Sequence, residues 1–207
     1  MVIVCAIVLL SMGVISACKK HDHPAPASTG GAQGGAQGGG ANPGGAKMPI
    51  IVPVGYNAND YKAIVSFLMQ DSETPKISNG QAYMNKVGNH VKFNPNDPAS
   101  WSGPMNAHGD ANSISFGASP KVLRAINFRN CSMKGELNLK NCGMLQRVDV
   151  LGNSITLIDL TGSPALRTLE CSENNLSSIK LSKNLKVNFV LTKDRQKNRK
   201  NVHVDYQ

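Results

Sequence analysis

The chain has 207 residues, 22 Lys and Arg against 13 Asp and Glu, and a formal charge of +9; 41% of it is hydrophobic and 5% aromatic. That length suffices for one domain of ordinary size, and no apolar run reaches the roughly 20 residues a spanning helix needs, which excludes a multi-span transporter or channel. The charge is concentrated, with +4 on residues 193–200 alone, so the overall basicity does not point to a nucleic acid and none is expected as a partner.

Residues Val2 to Ile15 are almost wholly apolar and run into Ser16-Ala17-Cys18 and then Lys19-Lys20. A short apolar stretch ending in small residues reads as a secretory leader over residues 1–17; an uncleaved anchor flanked by the two lysines is the alternative. The tetrapeptide Ile15-Ser16-Ala17-Cys18 resembles the bacterial lipobox, in which the Cys thiol takes a diacylglyceryl thioether and becomes the first residue of the mature chain. That resemblance implies lipidation of Cys18, export, and attachment to the cell envelope, by preference the outer membrane, with the facing left open. Nine of the 20 glycines fall between Gly30 and Gly45. Such a segment buries too little apolar area to offset its ordering entropy, so residues 18–48 are expected to form a disordered Gly-rich tether. His21-Asp22-His23 lies in that tether without fixed geometry, and no metal or cofactor is expected anywhere.

Residues 49–112 read as a small helical region. Asn59 or Asp60 offers an N-cap, and Tyr61, Ile64, Val65, Leu68 and Met69 form one apolar stripe of a helix. Ser78 or Asn79 starts a second, shorter helix that ends at Gly88. Asn94-Pro95-Asn96-Asp97-Pro98 is loop; Trp101, a turn at His108-Gly109 and the strand-like Ser113-Ile114-Ser115-Phe116 follow.

From residue 113 to 192 the chain repeats. Leu123-x-x-Ile126-x-Phe128-x-x-Cys131-x-Met133, Leu145-x-x-Val148-x-Val150-x-x-Asn153-x-Ile155 and Leu166-x-x-Leu169-x-Cys171-x-x-Asn174-x-Leu176 share six framework positions. The pairs Leu137/Leu139, Ile158/Leu160 and Ile179/Leu181 recur in step with them, and Val187-x-x-Val190 begins a partial fourth copy. A period this short means a coil whose turns bury their apolar residues only against one another. Cys131, Asn153 and Asn174 occupy the position that turns inward, where Asn bonds the backbone of the bend and Cys substitutes as a small weak donor. They form the expected structural ladder.

This half resembles the short leucine-rich repeats of bacterial surface lipoproteins and internalin-like proteins, as in Arg167-Thr168-Leu169-Glu170-Cys171-Ser172-Glu173-Asn174-Asn175-Leu176. The expected fold is therefore an α/β solenoid, a short leucine-rich repeat with a small helical N-terminal cap over residues 49–112. Of the five cysteines, Cys131, Cys142 and Cys171 belong to this part. All three are expected to be reduced, with Cys131 and Cys171 buried.

No nucleophile with its base, metal-ligand spacing or phosphate loop is present, and His90, His108 and His203 stand alone, so the chain is not expected to be an enzyme. The outward strand positions Asn127, Arg129, Arg147, Asp149, Arg167 and Glu170 are the candidate partner-binding residues, for a protein or glycan ligand. The alternative is an envelope-maintenance lipoprotein that meets an anionic partner through a solvated basic tail over residues 193–207. In either case the chain is expected to be a monomer.

Overall fold

The computed structural model describes residues 48–102, 112–183, 185, 188–190 and 201–207. The leader and nearly all of the tether, the turn at His108-Gly109 and the charged run 193–200 lie outside the described residues. Two helices come first, Ala58–Leu68 (α1) and Asn79–Lys86 (α2). Nine strands follow among the described residues. Leu123–Asn127 (β2), Arg147–Asp149 (β4), Thr168–Glu170 (β6) and Asn188–Val190 (β8) run parallel, with Ser113–Phe116 (β1) added antiparallel to β2, so that one sheet has the order β1-β2-β4-β6-β8. Lys134–Asn138 (β3), Ser154–Leu160 (β5), Ser178–Leu181 (β7) and His203–Tyr206 (β9) form a second, parallel sheet in that order. The chain passes from one sheet to the other and back, which makes a β-solenoid of about three turns, ended by the partial turn β8 and β9.

The solenoid read from the repeat is present, but its turns are built of strands on both sides. The helices lie outside the repeats, so the α/β description applies to the chain and not to its coil. The pairs Leu137/Leu139, Ile158/Leu160 and Ile179/Leu181 are the reason: alternating apolar residues make a strand and not a helix. The side chains of Ile126, Phe128, Val148, Val150, Leu169 and Cys171 meet these pairs across the coil, and all are buried. Each fully buried aliphatic side chain contributes about 1.5–3 kcal/mol.

Register explains where the repeat continues beyond its sequence signal. In the second sheet Leu137 pairs with Ile158, Ile158 with Ile179 and Ile179 with Val204. The first two steps are 21 residues and the last is 25. Residues 201–207, read from the sequence as part of a solvated tail, thus supply the fourth strand of the sheet; the longer step hides them from a search at constant period.

The helical segment lies against the first turn. Asn57 caps α1 by accepting from Asp60 N, two residues before Asn59 and three before Asp60, and Ser78 caps α2 by accepting from Gln81 N. The stripe Tyr61, Ile64, Val65 and Leu68 is fully buried. Phe67 stacks on Phe128 of the first turn at 6.1 Å between ring centroids, and Tyr83 meets the same ring edge-on at 5.4 Å. Polar side chains finish the contact. Asn79 accepts from Lys134 N and donates to Lys134 O, and Gln70 does the same for Glu136 N and O. The outer edge of β3 is therefore paired with two side-chain amides. Gly135 allows this approach, with φ +96° and no Cβ to run into the Gln70 amide. At the start of β2, Asp60 Oδ2 accepts from Leu123 N at 2.8 Å.

Between turns, Asn153 makes five bonds. Its Oδ1 accepts from Cys131 N and Met133 N, and its Nδ2 donates to Phe128 O, Val150 O and Leu151 O. Asn174 repeats the arrangement one turn on, accepting from Ile155 N and donating to Val150 O, Cys171 O and Ser172 O. Asn153→Ala strands several buried backbone groups at once. Since each costs about 1–3 kcal/mol when unpaired, the substitution should destabilise the fold by about 3 kcal/mol or more. Arg167→Ala, at an exposed position, should change stability by less than about 0.5 kcal/mol. Urea unfolding midpoints of the two variants check the difference.

Candidate functional site

The candidate site is the outward side of the first sheet. Strand register sets its rows. Ser113, Asn127, Asp149 and Glu170 lie side by side across β1, β2, β4 and β6, and Ser115, Ala125, Arg147 and Thr168 form the next row. Arg129 follows β2 and Arg167 precedes β6.

Two of the six expected contact residues are not at the surface. Asn127 is 1% exposed and Asp149 0%, so an outward register position does not here mean a solvated one. For Asp149 the cause is visible. The Arg129 guanidinium reaches Asp149 Oδ2 through Nη2 at 2.7 Å and Nε at 2.8 Å, and Arg147 Nη2 reaches the same oxygen at 3.2 Å. The two arginines fold over the carboxylate and remain about one-third exposed themselves, 36% and 33% for their side chains. Asn127 Oδ1 accepts from Arg129 N and holds the base of that side chain. Arg167 is exposed; Glu170 is half-buried and accepts from Ser172 N.

One carboxylate between two guanidiniums leaves an excess of one positive charge. The buried Asp149 takes its bonds on Oδ2, while Oδ1 has no hydrogen-bond partner, and neither has Arg147 Nε. Breaking such a buried pair from one side is costly, because the other charge is left uncompensated. The arrangement holds the Arg129 guanidinium through two of its nitrogens and the Arg147 guanidinium through one, both at the surface of the sheet. Guanidiniums held this way suit carboxylates and other planar or tetrahedral oxyanions.

The ladder residues sit on the opposite side of this sheet, in the bends. Cys131 stands where the later turns have Asn153 and Asn174, and its Sγ lies 3.5 Å from Arg129 O. Cys131, Cys142 and Cys171 are free thiols and all three are buried, Cys142 included. Burial pushes the Cys131 and Cys171 thiols up to about 12; Cys142 is raised as well, by burial and then by the neighbouring Asp60. A thiol so raised carries no thiolate at neutral pH and is no nucleophile. Among the described residues no group of His, Cys, Asp and Glu side chains is placed to hold a metal ion.

Asp60 and Asn79 stand out in the sequence only as candidate helix starts and Gln70 not at all, whereas in the structure all three fasten the helical segment to β2 and β3. The only cue to that role is that each is a polar residue next to a buried helix position. No protein-family model matches the chain, and no curated protein or solved structure is significantly similar to it.

The buried thiols have a pH signature. Their folded values lie above the unfolded ones, so the stability they contribute is complete below about pH 8.5 and is lost as the pH rises towards the folded values. Unfolding free energy should fall steadily from pH 9 to pH 11. The three thiols should resist a disulfide reagent at pH 8 until denaturant is added, which thiol titration with and without denaturant would show.

Proposed function

We propose that the chain is a lipid-anchored cell-envelope protein, without catalytic activity, whose solenoid binds a protein or glycan partner through the outward side of its first sheet. The observation that carries the binding reading is the pair Arg129 and Arg147, fixed by a fully buried Asp149 on a row of parallel strands. Loops or isolated surface arginines would have to be ordered on binding; these two are ordered already, which lowers the cost of recognition. Arg167, exposed one residue ahead of β6, adds a further positive charge, and the partner this face favours carries carboxylates or other oxyanions.

The solenoid is of the leucine-rich repeat type on this reading, supported by the coincidence of its framework positions with buried residues and by the Asn ladder at Asn153 and Asn174. The helical segment serves as its N-terminal cap, supported by the bonds of Asp60, Gln70 and Asn79 to the first turn. The anchor reading rests on Ile15-Ser16-Ala17-Cys18; no helix among the described residues is long and apolar enough to cross a membrane.

Three rungs at about 4.8 Å, each showing about 15 Å of strand, present only some 200 Å² of face. A standard interface covers about 800 Å² per partner. Binding through this face alone is thus weak, and gains strength where several copies on one membrane meet a repeating ligand. The charge run at 193–200 supports a second reading, an envelope-maintenance role with an anionic partner. That role falls to those eight residues, since β9 belongs to the coil.

Two measurements test the proposal. Cys18→Ser should abolish incorporation of a labelled fatty acid, because no other group there takes the thioether; persistent labelling would remove the anchor reading. Arg129→Glu combined with Arg167→Glu should weaken capture of a partner cross-linked in intact cells by about tenfold or more, as expected of central charged contacts, while deletion of 193–200 leaves it unchanged. The reverse result favours the second reading.

A further inference from the structure

The two edges of the second sheet are treated differently. At β3, Gln70 and Asn79 pair the outward backbone groups of Glu136 and Lys134. Among the described residues nothing equivalent occurs at β9. His203 N donates to Ser177 O and Gln207 N to Leu181 O, while Lys183 N donates to Gln207 O. The odd-numbered residues of β9 therefore face β7. In a strand whose ladder bonds alternate in direction, the N–H and C=O of Val202, Val204 and Tyr206 then point away from the sheet. An edge of this kind is a template for another strand.

We propose that this edge pairs with the same edge of a second copy of the chain, antiparallel and about a two-fold axis through Val204. The parity of the free groups and the side chains select this arrangement together. In an antiparallel pair, residues directly opposite exchange both hydrogen bonds at every second position. With Val204 opposite Val204 of the second copy, the exchanging pairs are 202 with 206, 204 with 204 and 206 with 202, which uses the outward groups of all three residues in both chains. The intervening pairs set His203 against Asp205 of the other chain, twice by symmetry. Such non-exchanging pairs bring side chains closest together. An imidazole N–H donates to a carboxylate in either protonation state of the ring.

Sliding the pairing by two residues keeps the backbone bonds in phase but loses this match. One direction puts His203 opposite His203, and the other puts Asp205 opposite Asp205, where like charges repel. The other side of the strand agrees. Val204 and Tyr206 stand beside the buried Ile179 and Leu181 of β7, so they face the core side of the sheet. Tyr206 is nonetheless 53% exposed, and the pairing lays its ring over Val202 of the second copy. Lys180, beside Asp205 in the register, flanks each His–Asp pair and adds no acidic neighbour to it.

Five residues of edge, about 17 Å long, bury far less than a standard interface of about 800 Å² per partner. Association is therefore concentration-dependent and not obligate. An isologous contact closes at two chains.

The test is sedimentation of the full-length chain in detergent over a wide concentration range. Wild type should show a monomer–dimer equilibrium and nothing larger. Val204→Pro removes the N–H that crosses the axis, a group that takes no part in the β7 ladder, and an edge strand tolerates proline at such a position; this variant should be monomeric throughout with an unchanged melting temperature. His203→Asp should weaken the dimer about tenfold by setting two carboxylates opposite each other on both sides of the axis. The double variant His203→Asp with Asp205→His restores the match in the opposite sense and should recover association to within about threefold. A wild type monomeric at every concentration, species beyond the dimer, or a dimer that Val204→Pro leaves intact would each overturn the proposal. Should Val204→Pro lower the melting temperature, equal association by the single and double His203 variants would overturn it instead.

Discussion

Where the chain bends out of the first sheet, backbone N–H and C=O groups point into space already filled by the next turn, and water cannot reach them. The Asn153 side chain resolves this. One amide, contributed by the following turn, accepts from the N–H groups of Cys131 and Met133 and donates to the carbonyls of Phe128, Val150 and Leu151. Each buried backbone group left unpaired would cost about 1–3 kcal/mol, so a bend with several of them would offset much of what the apolar contacts of a turn contribute. The bend can therefore be tight and dry only because a side chain with two donors and an acceptor stands there. Stacking of the strands, the inward direction of Val148, Val150 and Leu169, and the rigidity of the outer face all follow from that bend. The first turn has Cys131 instead, and there the Phe128 carbonyl is served from the next turn by Asn153.

The same logic of satisfaction governs the outer face with charge in place of amides. Asp149 lies at the centre of its sheet, between Asn127 and Glu170, and is fully buried. A carboxylate in that place needs cationic partners. Arg129 and Arg147 supply them and are held in turn, so the chemistry offered to solvent is a consequence of what lies beneath. An arginine pair on a neutral residue would be a mobile, screened surface charge of little consequence. Over a buried carboxylate it is held in place, and the proposed binding role of this face rests on that.

Much of the architecture is legible in the sequence, because apolar residues at a fixed period allow few other structures. The helix stripe Tyr61, Ile64, Val65 and Leu68 and the inward ladder positions Asn153 and Asn174 are local patterns, and they fell where the periods put them. Three features were not legible, each for a physical reason. The start of α1 at Asn57 competes with Asn59 and Asp60, three residues of nearly equal capping ability within one turn. The burial of Asn127 and Asp149 depends on what folds over them, and a period of two says only which side of the sheet a residue faces. β9 lies 25 residues from its partner where every other step in that sheet is 21, so its alternation of Val202, Val204 and Tyr206 falls out of phase with the repeat.

The ends of the coil follow from a constraint that a stack of parallel turns cannot avoid: each turn satisfies its neighbours, and the first and last have only one. At the first turn the chain uses Gln70, Asn79 and Asp60 to complete bonds that a preceding turn would have made, with Phe67 and Tyr83 covering Phe128. At the last, β9 is bonded to β7 on one flank, and its outward backbone groups take no partner among the described residues. Shortness limits the consequence, since the five residues 202–206 offer few bonds to an approaching strand. The closed edge at β3 limits it further. A sheet with two open edges can grow from both and form a fibre, whereas one with a single open edge can only meet its own copy and stop. The side-chain amides on β3 thus do more than fasten a helical segment: by removing one of the two edges of the second sheet, they leave that sheet able to end in a pair and unable to extend into a polymer.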